Sequence, residues 1–537
     1  MPFSTKSDRL HKLGPQISEI LTVSGAAGAS IGIIEGLTGE RHLGSFGYRD
    51  IEQQLVPDEH TIYHIASLSK SFTATSIALL VADGKIAFED RMCDVLPGFH
   101  HFNDAVCTES TVLDFLSHRT GLATKNSLWQ QDGHELLLLQ EDTLPIVSYL
   151  EVVEPLGSKW IYNNWGYDIL ANVIAAASGF TWGEVVSERI LEPLGLKETT
   201  TDLRPPEKKN WAQGYMPGLL DGELTNVGRP VISAGTVQQG ANGVKSTVHD
   251  LLLYYSAILE AELLTPHIRL DANEAPDVGG QWYGAGWAIA QLPAPLGSIG
   301  SNGMFIDPMP LMGRGCKSPD GDPRKTCNVW YHNGSLVGFF SSVHVLPGSG
   351  TIIVVLVNSN TKNDAADWIG QLLVEDMLEC PEKNDYVALA NTSAAAYDRM
   401  WMDLPGEMEK AKKPVSHRRP LQEYTGRYRN SVGNWFIEVQ IDADGLSFSF
   451  QGRPTEKHRL ELFGEDTFSW PLTEWQSRAR GRWPDLDVAT YVFNFEAGGD
   501  GRITNLRWEH DPDVPGGGIF IKAEASEKST QAEHAEF

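Results

Sequence analysis

The chain is 537 residues long, 41% hydrophobic and 21% charged, which suits a globular protein with a large core and more than one domain. Its net charge of −27 argues against nucleic acid and anionic membrane surfaces as partners, since both select for Lys/Arg patches. Apolar runs such as Ile352–Val357 fall far short of the roughly 20 residues that span a bilayer, so no membrane partner is expected.

Asp8–Val23 reads as an amphipathic helix with Leu10, Leu13, Ile17, Ile20 and Leu21 on one face. The preceding residues carry no apolar signal core, so a cytoplasmic location is expected. Strands are predicted near Ala29–Ile34 and Arg41–Tyr48, then a largely helical region over about 67–260. The sheet returns from Tyr283, with Ser341–Val345 and Thr351–Val357 joined by Pro347-Gly348-Ser349-Gly350, a hairpin signal. A helix over about Asp364–Leu378 closes this part. Residues 293–328, rich in Pro, Gly and Met, read as an insertion that could roof a pocket.

Pro405-Gly406 and a basic run through Arg419 mark a linker over 401–420, and short alternating segments follow, such as Leu446–Phe450 and Ala489–Phe495. The expected organisation is a first domain over 1–400, that linker, an antiparallel lipocalin-like β-barrel over 421–523, and a disordered tail over 524–537. Five cysteines (Cys93, Cys107, Cys316, Cys327, Cys380) form an odd set without Cys-x-x-Cys. Reduced thiols are therefore the expectation, with Cys316 and Cys327 placed to pair across the insertion.

Three strings carry chemistry. Ser67-Leu68-Ser69-Lys70 opens the apolar helical run Phe72–Val81, and residues three apart share a helix face, so Lys70 lies beside the Ser67 hydroxyl. A helix start also offers free N–H groups to developing negative charge. A second Ser-x-x-Lys, Ser359–Lys362, follows a buried strand and reads as loop chemistry. Tyr162-Asn163-Asn164 sits in an aromatic turn before a helix through Ala177; Tyr331 and Tyr428 also begin Tyr-x-Asn. Last comes Tyr331-His332-Asn333-Gly334-Ser335, entering a strand.

With these strings in order, the chain resembles the serine β-lactamase and penicillin-binding superfamily, most nearly its class C, esterase and D-aminopeptidase branch. Gly47–Asp50, Asp83–Lys85, Leu116–Leu122, Gly235–Leu253, Tyr283–Trp287 and Val355–Ser359 extend the resemblance over about residues 10–380. It implies an α+β fold: an antiparallel sheet with helices on its faces plus an all-helical lobe, followed by the all-β barrel. Such a barrel in relatives covers the active site or supports homo-oligomers, so a homo-oligomer is admitted here.

The resemblance implies a Ser67 acyl-enzyme. Tyr162 would be the base, its phenol, with an ordinary pKa of about 10, made acidic by the Lys70 cation, and Lys70 could itself shuttle the proton. Asn164 would orient Lys70 and meet the acyl side of the substrate. Ser67 and Ser335 would supply oxyanion-hole N–H groups, and Gly334 would let the substrate approach its strand. His332 stands where many relatives carry the Lys of Lys-Thr-Gly. A histidine is mostly uncharged near neutral pH, which weakens recognition of a substrate carboxylate and favours a less acidic ester or amide. A phosphate loop and His-Glu-x-x-His are missing from the sequence, and His100-His101 lacks a partner at metal spacing, so no cofactor or metal is expected. The expected partner is a small-molecule ester or amide. Hydrolysis, acyl transfer to an alcohol or amine, and a non-catalytic binding role are the readings weighed.

Overall fold

Thr351–Val357 is buried at every position, and its period-two alternation sends Ile352, Val354 and Leu356 into one core and Ile353, Val355 and Val357 into another. That strand lies in the middle of a two-faced sheet. The computed structural model describes residues 3–5, 7–36, 38–203, 209–219, 222–260, 265–270, 278–316, 327–415 and 419–524. The expected tail beyond 524, residues 317–326 of the insertion and Arg418 of the basic run lie outside the described residues.

The sheet contains β1 (Phe3–Thr5), β2 (Gly28–Glu35), β3 (Glu40–Gly47), β4 (Ile268–Arg269), β5 (Gln281–Gly284), β6 (Trp287–Leu292), β7 (Cys327–Leu336), β8 (Phe339–Leu346) and β9 (Thr351–Val357). Their order is β1-β3-β2-β9-β8-β7-β6-β5-β4, and every neighbouring pair is antiparallel. One face is covered by α1 (Asp8–Ser24), capped by Ser7 and ended by left-handed Gly25, and by α5 (Ala365–Met377). The other receives α4 (Val248–Glu260) and the helical lobe with α2 (Ser69–Ala82) and α3 (Asn164–Ser178). A Cβ on Gly32 would stand 2.2 Å from Val248 Cγ1, so glycine lets α4 settle on β2.

The C-terminal sheet has nine antiparallel strands, β10 (Gly426–Arg429), β11 (Phe436–Asp442), β12 (Gly445–Phe450), β13 (Lys457–Arg459), β14 (Glu461–Gly464), β15 (Thr467–Ser469), β16 (Val492–Ala497), β17 (Ile503–Trp508) and β18 (Gly518–Lys522). They run β13-β12-β11-β10-β18-β17-β16-β15-β14, a nearly closed barrel packed with Phe448, Phe450, Trp470, Phe493 and Trp508. The fold is thus the expected α+β domain followed by an all-β barrel.

Two expectations change. Pro405-Gly406, read as the start of a linker, lies inside α6 (Tyr386–Ala411), which ends where the 401–420 segment was half spent. Proline costs a helix about 3 kcal/mol, yet Trp401, Leu404 and Met408 are buried in the core shared with the barrel, and that burial outweighs the breaker. The described part of the insertion is anchored on the α1/α5 side of the sheet. Ala294, Leu296 and Met312 are buried with the α1/α5 face, and Asn302 Nδ2 donates to Asp364 O at 3.0 Å and Asp367 Oδ2 at 2.9 Å.

Cys316 pairs with Cys380, 64 residues on, rather than with Cys327, which is buried at the head of β7. A bridge of that span stabilises by about 4 kcal/mol in the loop-entropy account. Cys380→Ser should lower the unfolding free energy by about that amount in denaturant titrations. Without reduction, alkylation of the unfolded chain should reach Cys93, Cys107 and Cys327 alone.

Candidate active site

Ser67 sits on a single 3-10 turn, Ala66–Leu68, that runs directly into α2. Ala66 is held at φ +49°, a left-handed conformation that costs a non-glycine residue about 1–3 kcal/mol and persists only when its surroundings enforce it. Here the sheet enforces it: Ser341 Oγ donates to Ile65 O at 2.8 Å. A Cβ on Gly334 would lie 2.5 Å from Ile65 O and 2.3 Å from Ser341 Oγ. Glycine at 334 therefore seats β7 against the Ser67 turn, a tighter demand than the substrate clearance expected from sequence.

Lys70 lies one helical turn on. Its Nζ is 2.9 Å from Ser67 Oγ, 2.7 Å from Asn164 Oδ1 and 3.4 Å from Ala241 O. The side chain is fully buried, and burial without a carboxylate among those partners holds its pKa well below the usual lysine value. A neutral amine has two N–H groups and one lone pair. With the N–H groups on Asn164 Oδ1 and Ala241 O, the lone pair is left for the Ser67 hydroxyl.

Tyr162 donates its hydroxyl to Ser67 Oγ at 2.8 Å, and Lys70 Nζ stands 4.8 Å from its ring centroid. Burial pushes the phenol's pKa up, with the Ser67 hydrogen bond opposing. Burial thus favours phenol over phenolate at Tyr162 and free amine over ammonium at Lys70. Tyr162 is braced by His118, whose carbonyl accepts from Ile161 N at 2.8 Å and whose Nδ1 accepts from Asn163 N at 3.1 Å. His118 is itself at φ +55°, its ring 4.5 Å from that of Tyr162.

Asn163 and Asn164 divide their work at the start of α3. Asn163 caps the helix by accepting from Gly166 N at 2.9 Å, which turns Asn164 toward Lys70. Asn242 Oδ1 lies 3.3 Å from Ser67 Oγ, an alternative acceptor for the one hydroxyl proton when it does not point at Lys70. Asp168, its pKa raised to about 6 by burial and lowered in part by bonds to the 238–240 backbone, braces the segment carrying Ala241 and Asn242.

His332 is buried on β7, and burial together with the nearby Lys70 lowers its pKa to about 3. The neutral ring spends Nδ1 on Asn333 O at 2.6 Å and Nε2 on Tyr283 O–H at 3.0 Å. It offers no cation. Ser335 follows on β7 two residues before its turn to β8 and is partly exposed. Of the tryptophans near the motifs, Trp129 and Trp165 are buried, while Trp160 borders the site with its ring 5.9 Å from that of Tyr162.

Ser67, Lys70, Tyr162, Asn164, His332, Gly334 and Ser335 thus converge where β7 meets α2 and α3. The repeated motifs do not join them. Ser359 Oγ accepts from Ala27 N, Lys362 pairs with Asp398 at 2.9 Å, Tyr428 donates to Tyr424 O, and His101 contacts Leu150 O. Sequence reasoning assigned no role to Asn242, Tyr283, His118 or Asn126, although the first three lie in strings that carry the resemblance.

Residues 17–376 match the family model described as Beta-lactamase, two thirds of the chain. The chain belongs to the beta-lactamase family. Membership makes it a serine hydrolase of the beta-lactamase and penicillin-binding group. Residues 410–522 match a domain of unknown function, DUF3471. A penicillin-binding protein of Bacillus subtilis (strain 168) is 28% identical over 270 residues, covering 46% of this chain but only 57% of that protein. A Beta-lactamase of Pseudomonas fluorescens is 25% identical over 350 residues, 63% of this chain and 90% of its own. The octameric penicillin-binding protein homologue from Pyrococcus abyssi superposes with a TM-score of 0.54 at 22% identity, covering 96% of this chain and all of its own, a likeness of fold.

Gly334→Ala tests the seating of the nucleophile turn. It should cost about 1–3 kcal/mol of stability by overpacking and slow labelling of Ser67 by a phosphonate about 100-fold, measured by denaturant midpoint and intact mass.

Proposed function

We propose that the protein hydrolyses an uncharged ester or amide through a Ser67 acyl-enzyme, with Lys70 as the base. The observation that carries this reading is the threefold contact at Ser67 Oγ: a buried amine at 2.9 Å, a phenol donating at 2.8 Å and an amide oxygen at 3.3 Å. Ser67 Oγ attacks the carbonyl carbon while its proton passes to the Lys70 lone pair. The oxyanion faces the Ser67 and Ser335 N–H groups. On collapse, Tyr162 gives its proton to the leaving oxygen or nitrogen, and the Lys70 ammonium restores the phenol. Water then enters by the same proton path and releases the acid.

Neutral His332, with both nitrogens engaged, supports substrates without a carboxylate over penicillin-like ones. A cytoplasmic location loses its cysteine argument, since a Cys316–Cys380 bridge suits an oxidising compartment.

Intact mass after treatment with an activated phosphonate should show one adduct on wild type and none on Ser67→Ala. Turnover of a neutral p-nitrophenyl ester should fall about 1,000-fold or more in Ser67→Ala. An unchanged adduct in Ser67→Ala defeats the proposal. Transfer of the acyl group to added alcohol or amine in preference to water would make the enzyme an acyltransferase.

The pH profile separates the two bases. The reactive form of Lys70 is the deprotonated one and its pKa is lowered, so the acylation rate should rise with pH along a limb centred well below the ordinary 10.5. A limb at or above 10 would instead point to phenolate formation at Tyr162.

A further inference from the structure

One of the barrel's links to the helical lobe is the loop of residues 124–129; Asp132 and Glu135 just beyond it carry others, to Arg480, Arg482 and Arg453. Thr124 Oγ1 and Lys125 N both donate to Asp511 Oδ2, at 3.2 and 2.7 Å, and Asp511 is buried. Ser127 Oγ is hydrogen-bonded to His510 Nδ1, and Trp435 Nε1 donates to Leu128 O at 3.0 Å. His510 is partly buried, and desolvation of its ring lowers its pKa well below the ordinary histidine value. Lys125 is held at φ +36°, a strained conformation for a residue with a side chain, so the loop's shape depends on these outside bonds.

The same loop reaches the site. Asn126 Oδ1 accepts from Asn164 Nδ2 at 3.0 Å, and Trp165 Nε1 donates to Lys125 O at 3.3 Å. Asn126 Oδ1 also accepts from Trp129 Nε1 at 3.4 Å, which favours this orientation of its amide, so it draws the NH2 of Asn164 to itself and turns the Asn164 oxygen toward Lys70 Nζ, 2.7 Å away. That oxygen occupies one Lys70 N–H and thereby helps aim the lone pair at Ser67. If Asn126 withdrew, the Asn164 amide would be free to turn over and present a donor to Lys70.

We propose that the C-terminal domain completes the active site: Asp511 and His510 hold the 124–129 loop so that Asn126 fixes the amide of Asn164, and with it Lys70. Asp511, His510 and Asn126 are positioning residues. The proposal rests on the reading of Ser67 and Lys70 as nucleophile and base, and it gives the barrel a part in the chemistry beyond covering the site.

The test uses the full-length protein and four variants. Asp511→Ala and Asn126→Ala should each slow phosphonate labelling of Ser67 and ester kcat by roughly 10- to 100-fold, with KM within about twofold. The double variant should be no slower than the slower single one, because both cut one chain of contacts. Asn434→Ala removes a bond to Asp142 elsewhere on the same domain junction (2.8 Å) and should stay near the wild-type rate. Hydrogen exchange supplies a readout independent of catalysis: Asp511→Ala should accelerate exchange in peptides covering 124–129 and 162–168 while leaving the barrel strands protected. Wild-type labelling in Asp511→Ala, multiplicative losses in the double variant, or an equal loss in Asn434→Ala would overturn the proposal. If wild type itself fails to label, the catalytic reading falls, and exchange alone decides the link: unchanged protection at 162–168 in Asp511→Ala refutes it.

Discussion

The arrangement depends on one buried amine. Lys70 has no carboxylate partner, and an ammonium there would lose its hydration to two neutral oxygens and a hydroxyl. Burial therefore selects the free base, and the free base needs exactly two acceptors for its N–H groups if its lone pair is to face Ser67. Asn164 Oδ1 and Ala241 O are those acceptors. Much of the surrounding architecture serves to hold them: Asn163 capping α3, Asp168 bracing 238–240, Asn126 turning the Asn164 amide. Tyr162 adds a donor on the other side of Ser67 Oγ and, in the same dry pocket, stays protonated.

This balance also accounts for His332. A lysine in its place would put an ammonium close to Lys70 and raise the cost of any proton Lys70 takes up. The neutral imidazole, tied to Tyr283 and Asn333 O, fills the position without that charge. On the proposed mechanism, His332 bears on both substrate charge and the basicity of Lys70. Strain is distributed accordingly: Ala66, His118 and Lys125, all left-handed without being glycine, flank Ser67, Tyr162 and Asn126. Each is enforced by a neighbouring element: β7 and β8, the backbone beside Tyr162, and the barrel.

The sequence disclosed the groups that act through their own side chains at fixed local spacing. Ser67 and Lys70 lie on adjacent turns, Tyr162 and Asn164 on one cap, His332 to Ser335 on one strand, and the order of these strings along the chain separated them from the decoys at Ser359 and Tyr428. Strand alternation in Thr351–Val357 likewise announced a sheet buried on both sides. What stayed hidden depends on which surface meets which. Pro405-Gly406 looks like a break until Trp401 and Met408 find the barrel core. Cys316 and Cys327 look like a pair until β7 carries Cys327 into the core and brings Cys380, past the end of α5, to Cys316. Sequence also leaves open which of Lys70 and Tyr162 takes the proton: reference pKa values favour Tyr162 beside a cationic Lys70, whereas burial, which sequence does not give, pushes the phenol up and the amine down.

The same limit explains why the barrel's part was invisible. Asn126 and Asp511 are 385 residues apart by their numbers, and nothing about either residue alone suggests chemistry. Their relation is a matter of acceptors and donors in series: a carboxylate that satisfies a strained N–H, a carbonyl oxygen that can only accept, an amide whose orientation follows, an amine whose lone pair follows from that. Each step is a local rule of hydrogen-bond valence, and the direction of the series follows from the Asn126 amide, whose oxygen also accepts from Trp129 Nε1. On the proposed link, an appended domain decides the protonation geometry of a nucleophile it never touches.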